Sequence, residues 1–214
     1  MQIALQHIMP KPLLDRLSGR GSDIWNQELI FQQGESIRIK APSGSGKTTL
    51  IHYLYLLRKD YTGSILWDNQ KTFSGDAIAK LRASEISIVF QDLRLFPQLS
   101  ARENIQLKKA ISSNNAITDA QIDTMAQQLQ ITHILDQPAG ICSYGEQQRV
   151  AIIRALVQPF NWLLLDEPFS HLDEANTARA AALIQEVCRN NHAGLLVTDL
   201  DDDNHFNYTK RYTL

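Results

Sequence analysis

The chain has 214 residues, 43% of them hydrophobic, and its 21 Lys and Arg against 23 Asp and Glu leave a formal net charge of −2. This length can bury the core of one domain, and the charge balance lacks the basic excess that nucleic-acid partners require, so we expect none. No stretch approaches about 18 uninterrupted apolar residues, no signal-like segment opens the chain, and the cysteines lack metal-ligand spacing, so we expect a cytoplasmic protein without membrane spans or disulfides.

The pattern of apolar residues predicts strands and helices in alternation. Strands are expected over 3–6, 29–31, 36–40, 64–67, 86–90, 162–166, 195–198 and 208–214. Helices are expected over 47–57, 76–83, 101–109, 119–130, 145–157 and 174–190. The polar run 112–115 predicts a loop between two of these helices.

The first motif is a glycine-rich segment between the expected strand 36–40 and the helix that follows it. It reads Ala41-Pro42-Ser43-Gly44-Ser45-Gly46-Lys47-Thr48-Thr49. Such a loop turns backbone N–H groups toward the β- and γ-phosphates of a nucleotide, while Lys47 adds a positive charge and Thr48 offers its hydroxyl to Mg²⁺. Ala41 stands where the motif usually has Gly, and we interpret it as tolerated. Taken alone, the segment also fits a Gly/Ser turn that caps an ordinary helix.

Two acidic residues follow a strand far downstream. Leu163-Leu164-Leu165 forms the apolar run of a strand buried on both faces, and Asp166 and Glu167 emerge at its carboxyl end. Ligands of open parallel sheets bind at that end. We expect Asp166 to hold Mg²⁺, directly or through water, and Glu167 to act as the general base toward the attacking water. The alternative is an acidic strand end that faces solvent.

Three further segments resemble one family. Its signature sequence is matched by Cys142-Ser143-Tyr144-Gly145-Glu146-Gln147-Gln148-Arg149-Val150, its glutamine loop by Val89-Phe90-Gln91-Asp92, and its dimer-contacting loop by Ser170-His171-Leu172-Asp173. The family is that of ATP-binding cassette (ABC) ATPases, and the order and spacing of all five motifs resemble it from about residue 27 to 198. In length the chain is similar to the short stand-alone ATPases of lipoprotein-release and macrolide-efflux systems.

The resemblance implies an α/β fold, in which a phosphate-loop NTPase core of ABC type carries an inserted helical lobe and an antiparallel β edge. The chain would be one domain over 1–214, with a core lobe of about 1–90 and 158–214 and a helical lobe of about 91–157. ATP and Mg²⁺ would be the ligands of segment 41–49, and Gln91 would contact the metal and take part in catalysis.

The signature segment also has a local interpretation. Ser143, followed three residues later by Glu146, is a capping box and would start an ordinary helix equally well. The resemblance implies that this helix start faces the γ-phosphate held by a second copy, so that Ser143 and Gly145 donate hydrogen bonds across a dimer with Glu146 beside them. Cys142 and Tyr144 stand where Leu and Gly are common, so we expect a less close backbone approach at Tyr144.

The family places a His after the strand 195–198, where it contacts the γ-phosphate. This chain has Asp199 at that catalytic position, followed by Leu200 and three more aspartates. A carboxylate cannot donate the hydrogen bond of an imidazole, and polyphosphate repels it. Either Asp199 turns away, or hydrolysis is slow or depends on a partner. His171 and His205 are the candidate substitutes.

A second departure concerns the nucleotide base. The family stacks adenine on an aromatic residue in the loop after the first strand, but no aromatic residue precedes Trp25 in this chain. Stacking would have to come from Leu13, Lys11 or a partner, so we expect weak base selectivity.

Apolar residues also follow the glutamine loop. In transporters of this family, that region cups a helix of the membrane partner. Core packing of the helical lobe explains the same residues equally well: Leu95, Phe96 and Leu99.

These inferences predict an ATP-binding and hydrolysing subunit. It would work as a dimer of two copies beneath separately encoded transmembrane permease subunits, on the inner face of the cell membrane. One alternative is a slow or non-hydrolysing regulatory subunit, which the missing His favours and the retained Glu167 opposes. The other is a soluble ABC-type ATPase that acts on DNA or ribosomes, against which the single cassette and the absent basic excess argue.

Overall fold

The computed structural model describes residues 1–17, 19, 21–111, 117–200 and 204–214. The strands are β1 (Gln2–Pro10), β2 (Glu28–Gln32), β3 (Ser36–Lys40), β4 (Tyr61–Trp67), β5 (Ile86–Val89), β6 (Trp162–Asp166), β7 (Gly194–Asp199) and β8 (Lys210–Thr213). The helices are α1 (Leu14–Leu17), α2 (Lys47–Leu54), α3 (Gly75–Ser84), α4 (Ala101–Ile111), α5 (Asp119–Gln128), α6 (Tyr144–Leu156) and α7 (Glu174–Asn190). Short 3₁₀ turns cover Lys11–Leu13, Thr132–Ile134 and Ala139–Ile141.

The parallel sheet has the strand order β5-β6-β7-β3-β8. Side chains of β6 alternate between two hydrophobic clusters, with Leu163 and Leu165 in one and Trp162 and Leu164 in the other. The prediction of a strand buried on both faces is therefore confirmed. The register pairs Asp166 with Thr198 in β7 and Asp199 with Lys40 in β3, so the carboxyl ends of these three strands lie side by side.

The antiparallel part of the fold is a separate three-stranded sheet in the order β2-β1-β4. β1 pairs antiparallel with both neighbours, and its register with β4 shifts between Gln6 and Met9. This sheet forms the antiparallel edge that the resemblance implied.

The two hydrophobic clusters hold the helices against the parallel sheet. One cluster joins α4, α5, α6 and α7 to β6 and β7, and the other joins α2 and the antiparallel sheet to β3 and the remaining side chains of β6. Full burial of a Leu or Ile side chain contributes roughly 1.5–3 kcal/mol, so the clusters fix the strand ends that carry the polar motifs.

Several predicted boundaries are wrong at one end. The helix expected over 47–57 ends at Leu54, because Leu56 adopts a φ of 61° that a right-handed helix does not allow. The helix expected over 119–130 ends at Gln128 for the same reason, since Gln130 has a φ of 56°. β1 runs four residues past its expected end, because Met9 and Pro10 still pair with Thr62 and Tyr61 of β4. Segment 112–115, predicted as a loop, lies outside the described residues.

Candidate functional site

The glycine-rich segment connects β3 to α2. Gly44 and Gly46 have φ values of 78° and 102°, a region that residues with a Cβ rarely occupy, so these two positions require glycine. Ala41 is buried and has no positive φ, and its carbonyl oxygen accepts a hydrogen bond from Lys47 Nζ at 2.8 Å. The segment therefore accommodates Ala41 without backbone strain.

Lys47 and Glu167 form a buried ion pair at the centre of the site. Lys47 Nζ lies 3.2 Å from Glu167 Oε1, and both side chains are almost completely buried. Glu167 has a φ of 49°, and its backbone N–H donates to the Thr198 carbonyl oxygen at 3.0 Å. This left-handed turn after β6 directs the carboxylate at the lysine of the glycine-rich segment.

Gln91 connects the acidic residue after β6 to the glycine-rich segment. Its Nε2 donates to Glu167 Oε2 at 3.2 Å, and its Oε1 accepts from Thr48 Oγ1 at 3.2 Å. Three sequence-predicted residues from separate parts of the chain are thus connected through one amide side chain.

Asp166 lies beside this network at the end of β6. Thr198 Oγ1 donates to Asp166 Oδ1 at 2.8 Å. Burial raises the pKa of the Asp166 carboxyl, while hydrogen bonds from Thr48 and Thr198 act in the opposite direction. A bound cation would favour the ionised carboxylate here.

The oxygen atoms at this point fit a small hard cation. Thr48, Gln91 and Asp166 supply a hydroxyl, an amide and a carboxylate oxygen, which match Mg²⁺ bound by one carboxylate together with phosphate and water oxygens. The described residues hold no cluster of three or more His, Cys, Asp or Glu that would suit another metal.

The predicted capping box at the start of α6 is confirmed. Ser143 Oγ accepts from the Glu146 N–H at 3.4 Å, and Glu146 Oε2 accepts from the Ser143 N–H at 2.8 Å. The Ser143 hydroxyl also donates to Glu146 Oε2 at 2.7 Å. This hydrogen bond and the one from the Ser143 N–H, with a smaller contribution from His133, lower the pKa of Glu146. The cap therefore keeps the carboxylate ionised and holds it at the start of the helix.

The structure does not bring the signature residues into the phosphate cavity of the same copy. That cavity has a volume of about 220 Å³, and among the described residues its walls are formed by Leu13, Arg16, Ser43, Gly44, Gly46, Lys47, Thr48, Thr49, Gln91 and Glu167. Ser143, Gly145 and Glu146 lie outside these walls.

Comparison with known proteins identifies the family in which this arrangement of residues occurs. Residues 25–170 match the family described as ABC transporter. The chain belongs to the ABC transporter family. The prediction of an ABC ATPase with the corresponding α/β fold is confirmed.

Curated relatives are consistent with a subunit of this family. The chain is 34% identical over 81% of its length to the uncharacterized ABC transporter ATP-binding protein YvcR of Bacillus subtilis, covering 68% of that protein. It is 33% identical over 81% of its length to the lipoprotein-releasing system ATP-binding protein LolD of Saccharophagus degradans, covering 77% of it. It is 31% identical over 84% of its length to the macrolide export protein MacB of Campylobacter jejuni, but covers only 28% of that protein.

Solved structures of one cassette, MJ0796, share the fold. The dimeric structure described as a bacterial ABC transporter cassette has 27% identity and a TM-score of 0.79 over 93% of this chain and 88% of that one. The dimeric structure described as a post-hydrolysis state bound to ADP and Pi has 28% identity and a TM-score of 0.77, over 95% and 89%. In the part of this ABC cassette that the structure describes, no helix is both long and apolar enough to cross a bilayer.

Asp199 lies at the last position of β7. Its carbonyl oxygen accepts from the Ala41 N–H at 3.1 Å, so its backbone contacts the first residue of the phosphate loop. Its Oδ1 accepts from the N–H of Leu200 at 2.6 Å. The side chain does not contribute to the walls of the phosphate cavity. The three aspartates after Leu200 lie outside the described residues.

The two candidate substitutes for the missing histidine lie in different places. His205 packs edge-on against Phe169, with 5.5 Å between ring centroids. His171 packs against Tyr144 of the signature at 4.2 Å, and both line a second cavity that reaches Thr48 and Asp166. The departure from the signature at Tyr144 thus contacts the candidate substitute His171.

Sequence reasoning missed two residues around the phosphate loop, Trp25 and Arg16. Trp25 Nε1 donates to the Ser45 carbonyl oxygen at 3.3 Å, and its ring lies 3.0 Å from where a Cβ on Gly46 would be. Leu13 and Arg16 line the phosphate cavity, whereas Lys11 does not. The first aromatic residue of the chain was a usable signal for Trp25, but no motif marked Arg16.

The apolar residues after the glutamine loop differ in their exposure to solvent. Leu95 is half-buried and packs on the cluster that holds α4 to α7, whereas Phe96 is 56% exposed. Phe96 borders a groove of about 160 Å³ with Lys108 and Arg154. Burial lowers the pKa of Lys108 to about 8 and that of Arg154 to about 10. The groove is therefore apolar with a cationic wall.

Proposed function

We propose that this ABC ATPase closes as a dimer of two copies around ATP and thereby drives a separately encoded membrane permease. The network from Lys47 through Glu167 and Gln91 to Thr48 carries the proposal, because it gathers a phosphate-binding cation, a base and a cation-binding hydroxyl at one edge of the sheet. ATP would bind with its β- and γ-phosphates against segment 41–49, in line with the general chemistry of such loops.

Glu167 is the proposed general base. In the nucleotide-free chain its carboxylate pairs with Lys47. The γ-phosphate would draw Lys47 away, and Glu167 would then be free to accept a proton from the attacking water. As the water oxygen bonds to the γ-phosphorus, the bond to the bridging oxygen breaks and ADP and phosphate form.

Gln91 would move when Lys47 leaves Glu167 for the γ-phosphate. Its amide contacts both Glu167 and Thr48, so a ligand that separates these groups would also move the segment after β5. When bound, Mg²⁺ would neutralise phosphate charge, and Thr48, Asp166 and Gln91 are the residues proposed to hold it.

The second copy would supply Ser143, Gly145 and Glu146. The MJ0796 cassette is described as dimeric, which supports a pairing of the same kind here. Glu146 would act chiefly through the cap, because its carboxylate is engaged by Ser143. The cap leaves the α6 N-terminus preorganised for a phosphate oxygen.

The groove beside Phe96 is the proposed contact for the permease. Its exposed apolar rim would bury against a helix of the membrane subunit, and Lys108 and Arg154 would favour a carboxylate on that helix. The cassette would then be peripheral on the inner face of the cell membrane. We further propose the lobe division at about residues 90 and 158, because α4, α5 and α6 all lie in the segment between these positions.

Asp199 supports a second candidate function, that of a slow or non-hydrolysing regulatory subunit. The carboxylate at this position offers the γ-phosphate no hydrogen-bond donor when ionised. The pairing of Glu167 with Lys47 favours hydrolysis instead, because it keeps the base at the phosphate loop.

The variant Glu167→Gln tests the proposal. It keeps the shape of the side chain and removes the base, so ATP-bound dimers should accumulate. Size-exclusion chromatography with ATP and Mg²⁺ is expected to show a shift from monomer to dimer that ADP does not produce. A variant that stays monomeric at high concentration, even with its membrane partner supplied, would count against the shared site.

A further inference from the structure

We propose that Arg16 is a second phosphate-binding cation of this cassette and acts beside Lys47 on the triphosphate of the nucleotide. The inference rests on the proposed function only in assuming that segment 41–49 binds the nucleotide. It adds a recognition residue outside the five motifs.

Arg16 lines the same cavity as Lys47. Its Nη2 lies 3.4 Å from where a Cβ on Gly44 would be, so the guanidinium runs alongside the glycine-rich loop. Backbone N–H groups of such loops point at phosphate oxygens. A guanidinium at this place lies within reach of the same anion.

The segment that carries Arg16 is anchored on both sides. Leu17 is buried in the hydrophobic cluster under the phosphate loop, and Leu13 packs on that cluster with its Cδ1 3.1 Å from the Cβ position of Gly46. The Lys11 N–H donates to the Asp60 carbonyl oxygen at 2.9 Å. Because Leu13 and Leu17 are one helical turn apart and both packed, Arg16 is held at the mouth of the cavity.

The positive charges of Lys47 and Arg16 in this cavity differ in whether a neighbouring group neutralises them. Lys47 is neutralised by Glu167 at 3.2 Å and donates to the Ala41 carbonyl oxygen. The described residues provide the Arg16 guanidinium with no hydrogen bond or ion pair. An uncompensated planar cation with several donors matches a phosphate group, which it can bind through two parallel hydrogen bonds.

Arg16 thereby supplies affinity that does not depend on the base. The Arg16 guanidinium lies against Gly44, near the start of the phosphate loop, where backbone N–H groups point at phosphate oxygens. We therefore assign Arg16 to phosphate and not to stacking on the purine. ATP and GTP should benefit from it equally.

Titration calorimetry with inorganic tripolyphosphate, ATP and GTP tests the assignment. Arg16→Ala should weaken all three ligands by roughly tenfold, the low end of what a charge-assisted hydrogen bond contributes, and the loss should shrink at high salt. Arg16→Lys should recover part of the affinity. Lys11→Ala is the matched control, because it removes the same charge from the same segment outside the cavity, and it should change nothing.

Two outcomes would overturn the assignment. One is that Arg16→Ala leaves tripolyphosphate binding unchanged. The other is that it weakens the binding of ATP and GTP alone, as base stacking would require. Lys47→Ala separates this inference from the proposed function. If Lys47→Ala weakens tripolyphosphate binding and Arg16→Ala does not, only the role of Arg16 is wrong. If neither variant weakens it, the phosphate site itself is wrong.

Discussion

Glu167 has the most constrained backbone in the site. A non-glycine residue at a φ of 49° costs on the order of 1–3 kcal/mol and persists only where its surroundings fix it. Here the Thr198 carbonyl oxygen holds its N–H, and its own carbonyl oxygen accepts from Ser170 Oγ at 3.2 Å and from Gln148 Nε2 at 3.4 Å. The strained turn holds the carboxylate at the phosphate loop, where the proposed general base has to lie.

Asp199 occupies the position at which the family has a histidine, so restoring the histidine is a direct test. Asp199→His should give the γ-phosphate a hydrogen-bond donor and remove a repelling charge, so turnover of the purified subunit should rise. Loss of one preorganised donor commonly costs about 10²–10³ in rate, so even partial recovery would be measurable in a steady-state ATPase assay. Asp199→Ala is the control, since it removes the charge without adding a donor and should recover less.

His171, which contacts Tyr144, is the alternative candidate for the role of the missing histidine. If the His variant at position 199 is no faster than the Ala variant, and His171→Ala abolishes activity in the otherwise unchanged chain, then the dimer-contacting loop carries the missing function. The placement of Asp199 at the position of the family's γ-phosphate-contacting histidine would then be incorrect.

The stability of helix α6 depends on its N-terminal cap, Ser143. Ser143→Ala removes the side-chain oxygen that accepts from the Glu146 N–H and should lower the free energy of unfolding by about 1 kcal/mol. It should also reduce ATP-dependent dimer formation, because the same hydroxyl is proposed to face the partner's γ-phosphate. Urea denaturation and size-exclusion chromatography measure the two effects separately.

Glu146→Gln is the matched control for this helix. A Gln at the third helical position preserves the capping box, so stability should stay close to that of the unchanged chain. Dimer formation should be maintained or improved, since a negative charge near the phosphate is removed. A loss of stability as large as that of Ser143→Ala would show that the charge of Glu146, together with its His133 contact at 3.2 Å, contributes more than the cap.

Most elements were predictable because each has a local cause. The buried strand β6 follows from its leucines, and the start of α6 follows from Ser143 and Glu146. The ends of α2 and α5 were not predictable, because Leu56 and Gln130 adopt positive φ values that no residue preference announces. The position of Arg16 was not predictable either, because only the tertiary packing of Leu13 and Leu17 brings its segment to the phosphate loop.

In the proposed function, each molecule presents half of each nucleotide site. Phosphate-loop residues converge with Glu167 and Gln91 in one cavity, while Ser143 and Gly145 lie outside its walls. A single copy therefore holds the base but not the signature contact. This separation is what makes dimer closure, in the proposed function, dependent on the nucleotide.

In the proposed dimer, one copy contributes Lys47 to each nucleotide site and the other copy contributes Ser143. Mixing two inactive variants tests this arrangement directly. Lys47→Ala and Ser143→Arg copies should each hydrolyse ATP very slowly, because every site in either homodimer lacks one partner. In their mixture, a heterodimer restores one complete site, so the ATPase rate should rise well above the sum of the separate rates. A mixed rate equal to that sum, with heterodimers shown to form, would contradict the shared site.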